Sequence, residues 1–228
     1  MSVVASPSTR SALVLLALVF TAMLVAGVLL LGVADPLRLK ALIEDAGPVQ
    51  MVGQTCIFIA FGTACCFALL DPQRRVSYTQ LSYLLMFYAL READFHYRVA
   101  EHAKATQFKR FFSHELIPAS TKLFLAAIVL LFLMVMYRYL RTHLPTFLAA
   151  LRARLPWALA VLAWGVVFFL SQAVDQIPMF HNVIGQVFEE VFESGAEVLA
   201  LLAMILFRVQ VRADVHAGPM TSVGSFRQ

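Results

Sequence analysis

The sequence predicts an all-α fold, a polytopic integral membrane protein of about six transmembrane helices with two or three short interfacial amphipathic helices. Three observations predict it. Of the 228 residues, 61% are hydrophobic and only 14% charged, and the mean hydropathy is +0.78, far more apolar than a soluble domain. Two uncharged runs, 11–34 and 46–70, hold 24 and 25 residues, enough as helix to cross a hydrocarbon core about 30 Å thick. The basic residues are dispersed among short segments between apolar runs, so the net charge of +4 does not form the stripe that nucleic-acid binding requires.

The first span, 11–34, follows a short polar segment carrying Arg10. Gly32-Val33-Ala34 has the small-x-small form of a signal cleavage site, but the apolar run is longer than the roughly 7–15 residues of a signal h-region. An uncleaved anchor is therefore the favoured expectation. Asp35 precedes Pro36 at an expected first helical position, and Leu37, Leu39, Leu42 and Ile43 are spaced for a short helix on the membrane surface. The second span, 46–70, ends at Asp71-Pro72-Gln73-Arg74-Arg75, which turns the chain back. The third span, 77–104, begins within an uncharged run of 15 residues, 76–90, and then carries Arg91, Glu92, Asp94 and His96; with no helix breaker before Lys104, its polar half is expected to continue out of the lipid.

Residues 105–120 mix Lys109, Arg110, His114 and Glu115 with Phe108, Phe111 and Phe112, as an interfacial segment would. Pro118 and Ser120 open the fourth span, 120–140, with Lys122 and Arg138 snorkelling at its ends. The stretch 141–156 carries Arg141, Arg152 and Arg154 and no acid, the composition of a surface helix facing anionic lipid. The fifth span, 156–175, has Trp157 where an interfacial aromatic belongs. A hairpin containing Pro178, His181 and Asn182 leads into the sixth span, 185–211. The first 212 residues thus form one transmembrane helical domain, and 213–228, with Gly218, Pro219 and Gly224, a flexible cytoplasmic tail. Cys56, Cys65 and Cys66 share one apolar segment without metal-ligand spacing and read as packed thiols.

Six spans with a cytoplasmic N-terminus place ten of the 18 basic residues inside, consistent with the positive-inside rule, with both termini in the cytoplasm of a bacterial inner membrane. Twelve of the 14 acids then fall on the outer side. The outer ends of the third, fifth and sixth spans bring Glu92 and His96, Asp175 and His181, and Glu190 and Glu193 to one leaflet.

The candidate site lies on the sixth span. At about 100° per residue, Gln186, Glu190, Glu193 and Glu197 occupy a stripe about 60° wide on an otherwise apolar helix. Only ten uncharged residues separate Glu197 from Arg208, so a spanning helix carries these carboxylates at membrane depth. Ionisable groups there are costly and mark functional sites by default. They cannot all remain charged unless cations answer them. Arg91, Arg98 or Lys122 could do so as a charge seam between helices. A divalent metal could do so with Glu92, His96, Glu190 and Glu193 as ligands, joined by Asp175 or His181; histidine with carboxylates suits zinc, iron or manganese. Proton exchange along the face is the third answer.

Several membrane-enzyme patterns are excluded. Glu189-Glu190 resembles the paired glutamates of CAAX-type intramembrane metalloproteases, but Ser194 stands where that motif has arginine and no later helix supplies histidines. No histidine cluster of the membrane desaturases and no Gly-x-Ser-x-Gly is present. Two classes stay open. One is a metal-dependent hydrolase or transferase acting on a lipid or lipid-linked substrate, with Glu92 and Glu193 as its catalytic carboxylates. The other is non-catalytic: a proton- or cation-coupled carrier, or a subunit that fits another membrane protein or a second copy of itself through the acidic face. Nucleic acid is not an expected partner.

Overall fold

A computed structural model describes residues 9–43, 47–92, 112, 117–180 and 182–217, and among them every regular element is helical. Among the described residues, seven α-helices run in order: α1 (Thr9–Leu31), α2 (Pro36–Ile43), α3 (Pro48–Leu70), α4 (Arg75–Glu92), α5 (Ala119–Arg152), α6 (Pro156–Gln176) and α7 (Val183–Ala217). Among the described residues, five helices are long and apolar enough to cross a membrane: α1, α3, α5, α6 and α7. The expected third span is described only to Glu92, and α4 is not one of the five.

The chain divides into two compact units, residues 1–53 with 149–228, and residues 54–148. In the first, α1, α2, α6 and α7 bury a common core. The buried positions of α1, Ala12, Leu16, Met23 and Leu30, recur at the four- and seven-residue spacing of a coiled-coil seam, while Leu13, Leu18, Leu24 and Leu29 face outward. The short helix α2 begins at Pro36 as its sequence requires. The Asp35 carboxylate accepts the Leu37 amide at 2.9 Å, closing the first turn. Its Leu39 and Ile43 are buried in the same core. At the far end of the α6–α7 hairpin, Trp157 meets Phe207 edge-on at 5.2 Å.

In the second unit, Asp71 caps a single 3-10 turn by accepting the Arg74 amide at 3.3 Å, and Arg75 Nε donates back to the Ala68 carbonyl at 3.3 Å. These bonds reverse the chain between α3 and α4. Phe67 packs on the buried Tyr78, and Phe87 stacks on Phe132 of α5 with ring centres 4.1 Å apart. Cys56, Cys65 and Cys66 are not in disulfides.

One expectation about an element is corrected. The stretch 141–156 is not a separate surface helix: α5 continues without a break to Arg152 and contains Pro145. Proline removes one amide donor, but Leu144, Phe147, Leu148, Ala149, Ala150 and Leu151 favour helix around it. The helix stops instead at a paired closing bond. Leu155 N donates to Ala150 O and Arg154 N to Leu151 O, both at 2.9 Å, with Arg154 in the left-handed region at φ 54°. This is a Schellman closure with arginine where glycine is usual.

At Gly53, α3 packs directly against α7. A Cβ there would collide with the Glu197 carboxylate and lie 2.8 Å from the Ser194 Cα, so a methyl group forces two backbones apart. Gly62, farther along α3, has nothing within 4 Å of its would-be Cβ. Gly53→Ala is therefore expected to lower stability by about 1–3 kcal/mol, whereas Gly62→Ala should be neutral or stabilising by up to about 1 kcal/mol. Thermal unfolding of both variants in one mild detergent checks the pair; equal effects would contradict the close packing.

Candidate functional site

The site is built on α7, whose start is fixed by its sequence. Asn182 caps the helix: its side-chain oxygen accepts the Gly185 amide at 2.9 Å and its amide donates to the Met179 carbonyl at 3.0 Å. Gly185 is required because a Cβ would strike the backbone of Phe180 in the preceding turn. With this end fixed, the acidic face of α7 runs inward from it. Gln186 is exposed, Glu190 and Glu193 are half-buried, and Glu197 is only 2% exposed. Burial therefore deepens along one stripe of carboxylates.

Three consecutive residues of α7 meet three different helices, as steps of about 100° dictate. Glu193 faces α6. Its Oε1 accepts hydrogen bonds from the Ser171 hydroxyl and the Gln172 amide, each at 3.2 Å, and Gln172 also donates to Ser171 at 3.3 Å. Ser194 faces α3, where its hydroxyl donates to the Val49 carbonyl at 2.8 Å. Gly195 faces α1, with Met23 lying where a Cβ would point, 2.5 Å away. Ser171 is fully buried, so the Glu193 carboxylate meets neutral donors within the hairpin on this side.

Such an arrangement can hold a carboxylate in either protonation state. Ionised, Glu193 accepts both bonds; protonated, it keeps one oxygen as acceptor and gains a donor of its own. A hydroxyl rotates to suit either case. The carboxylate of Glu197 lies one turn deeper, against Gly53.

The expected metal ligands are only partly brought into view. Glu190 and Glu193 share the α7 face as expected. Asp175 is exposed near the end of α6, where it accepts the Gln176 amide at 2.6 Å. Glu92 ends α4, and its side chain lies outside the described residues, as do His96 and His181 altogether. Among the described residues, no group of three histidine, cysteine, aspartate or glutamate side chains is arranged to hold a metal ion.

The residues that the sequence reading passed over are Ser171, Gln172, Ser194 and Gly53. Ser171-Gln172 was visible in principle, as the one adjacent polar pair in the otherwise apolar stretch from Ala158 to Val174. Gly53 carried no such signal. If the Ser171–Glu193 bond matters to the hairpin, Ser171→Ala should cost about 1 kcal/mol in the wild type and almost nothing beside Glu193→Ala. A double-mutant cycle by thermal unfolding measures the difference; additivity within about 0.3 kcal/mol would mean the two groups act independently.

No family model matches the chain, and neither the curated proteins nor the solved structures contain a match to it.

Proposed function

We propose that the chain is a multi-spanning inner-membrane protein that binds and releases protons or a small cation along the acidic face of α7, as the coupling site of a carrier or of a membrane-complex subunit. The observation that supports this reading is the inward run of Gln186, Glu190, Glu193 and Glu197 from exposed to buried, with Glu193 held by the neutral donors of Ser171 and Gln172. A carboxylate held by hydroxyl and amide groups can change its charge without losing these partners. Proton relays in pumps and transporters are built from chains of carboxylates and histidines inside the membrane domain.

The metal-dependent reading, a hydrolase or transferase working on a lipid-linked substrate at the outer leaflet, draws on Glu92, His96 and His181 together with Glu190, Glu193 and Asp175. One set of measurements separates the two. Difference infrared spectroscopy on the purified chain across a pH titration is expected to contain a carboxyl band that is missing from Glu193→Gln, while the variant keeps its helical content. Metal analysis of the same samples is expected to find no stoichiometric zinc, iron or manganese. Stoichiometric metal that disappears in both Glu193→Gln and His96→Ala would replace the relay with a metal centre. An unchanged carboxyl band in Glu193→Gln would remove Glu193 from the proposal.

Orientation is part of the same reading, with both termini cytoplasmic and the start of α7 at the outer leaflet. A reporter active only in the cytoplasm should be active when fused after Arg212 and silent when fused within 176–182. The opposite pattern would invert the protein and open the acidic face to the cytoplasm.

A further inference from the structure

We infer that the stretch of α5 around Arg138 and Arg141 is an interfacial binding site for anionic lipid headgroups, separate from the acidic face of α7. The length of α5 sets the level. Its 34 residues make a helix about 51 Å long, against a hydrocarbon core of about 30 Å. The uncharged run between Lys122 and Arg138 holds 15 residues, about 22 Å of helix, and long cationic side chains at both ends extend it to the core thickness. Tyr137 and Tyr139 bracket Arg138, and aromatic residues of this kind collect at headgroup level. Arg138 and Arg141 therefore meet the phosphate layer.

The faces of the helix agree with that depth. Leu130, Leu133, Tyr137 and Leu140, on the hydrocarbon side of Arg141, are exposed and lie within about 80° of one another around the axis. Beside this apolar strip, Arg138, Arg141 and Thr142 are exposed within about 100°. Residues 116–174 contain no acid, and among the described residues neither arginine is in an ion pair. Two guanidinium groups beside an exposed apolar strip fit one partner chemistry: a phosphate-bearing headgroup with its acyl chains alongside. Guanidinium binds phosphate through paired N–H donors, and the adjoining strip covers lipid chain that a soluble anion lacks. An anionic lipid is favoured over a zwitterionic one because its phosphate charge is not offset by a headgroup cation.

The test uses the full chain in mild detergent, titrated separately with phosphatidylglycerol and phosphatidylcholine, with retained lipid counted by native mass spectrometry. Wild type should retain phosphatidylglycerol preferentially. Each arginine contributes about fivefold to anionic-lipid affinity, so Arg138→Gln/Arg141→Gln should lose roughly 25-fold for phosphatidylglycerol and little for phosphatidylcholine. Arg138→Lys/Arg141→Lys should keep the preference for phosphatidylglycerol, since the charge remains, but bind it more weakly than wild type because the paired donors are lost. Arg38→Gln/Lys40→Gln, which removes two exposed charges from α2, should leave the preference intact. Circular dichroism tracks folding, and if the double glutamine variant loses helix, Arg141→Gln alone carries the test with its expected fivefold loss. Undiminished phosphatidylglycerol retention in the folded glutamine variant would overturn the site. So would an equal loss in the α2 control, which would indicate bulk charge, or displacement of the lipid by inorganic phosphate, which would indicate a soluble ligand.

Discussion

The first unit depends on one constraint: the middle of α7 is enclosed by three other helices at successive residues. Glu193, Ser194 and Gly195 turn in steps of about 100° toward α6, α3 and α1, so no two of them can be changed without disturbing different interfaces. Their sizes follow from this. Glycine at 195 leaves room for Met23, glycine at 53 admits the Glu197 carboxylate, and serine at 194 adds a hydrogen bond while remaining small. Small residues at helix crossings are how apolar helices approach closely when lipid offers no hydrophobic contrast. The polar groups of the site are in this way the same groups that fix the packing, and the chemistry of the α7 face cannot be separated from its architecture.

Polar groups inside an apolar bundle also give direction. The two α6 donors that reach Glu193 come from adjacent positions, 171 and 172, and one of them is fully buried. An alternative rotation of α6 about its axis would carry Ser171 and Gln172 away from the carboxylate and leave it to hydrocarbon. Hydrogen bonds in such a setting specify rotation and register more than they add stability, since each contributes only about 1 kcal/mol.

How much of this was legible in the sequence depends on contrast. Four carboxyl or amide side chains on one face of an apolar helix stand out, so the α7 stripe, its helix and its polar character were all readable. The seam of α1 was not, because its buried Leu16 and Leu30 and its outward Leu13 and Leu24 are the same residue type, and a membrane helix is apolar on every side. The end of α5 was not either: the boundary expected near 140 rested on the arginines beyond it, yet leucine and alanine carry the helix through Pro145, and the actual stop is the backbone closure at Arg154, a residue with no turn signature. Gly53 was hidden for a related reason: a glycine within an apolar run signals nothing until the neighbouring helix is known. The expected ligands Glu92, His96 and His181 were selected by side-chain type and by the leaflet their spans reach, which identifies what can bind a metal but not which side chains meet.

The short joint between α6 and α7 has a consequence for how the chain enters a bilayer. Taken alone, α7 is a poor candidate for insertion, since a charged carboxylate at helix centre disfavours entry by about 2.5–3.5 kcal/mol and α7 carries several. Only six residues separate Gln176 from Val183, so α6 is already at hand when α7 emerges during synthesis. Ser171 and Gln172 can then meet Glu193 as the second helix arrives, and Trp157 can meet Phe207 once both are in place. The α6–α7 hairpin, not the single helix, is thus the packing unit, and the least hydropathic of the five candidate spans has part of its polar face satisfied by the helix that precedes it.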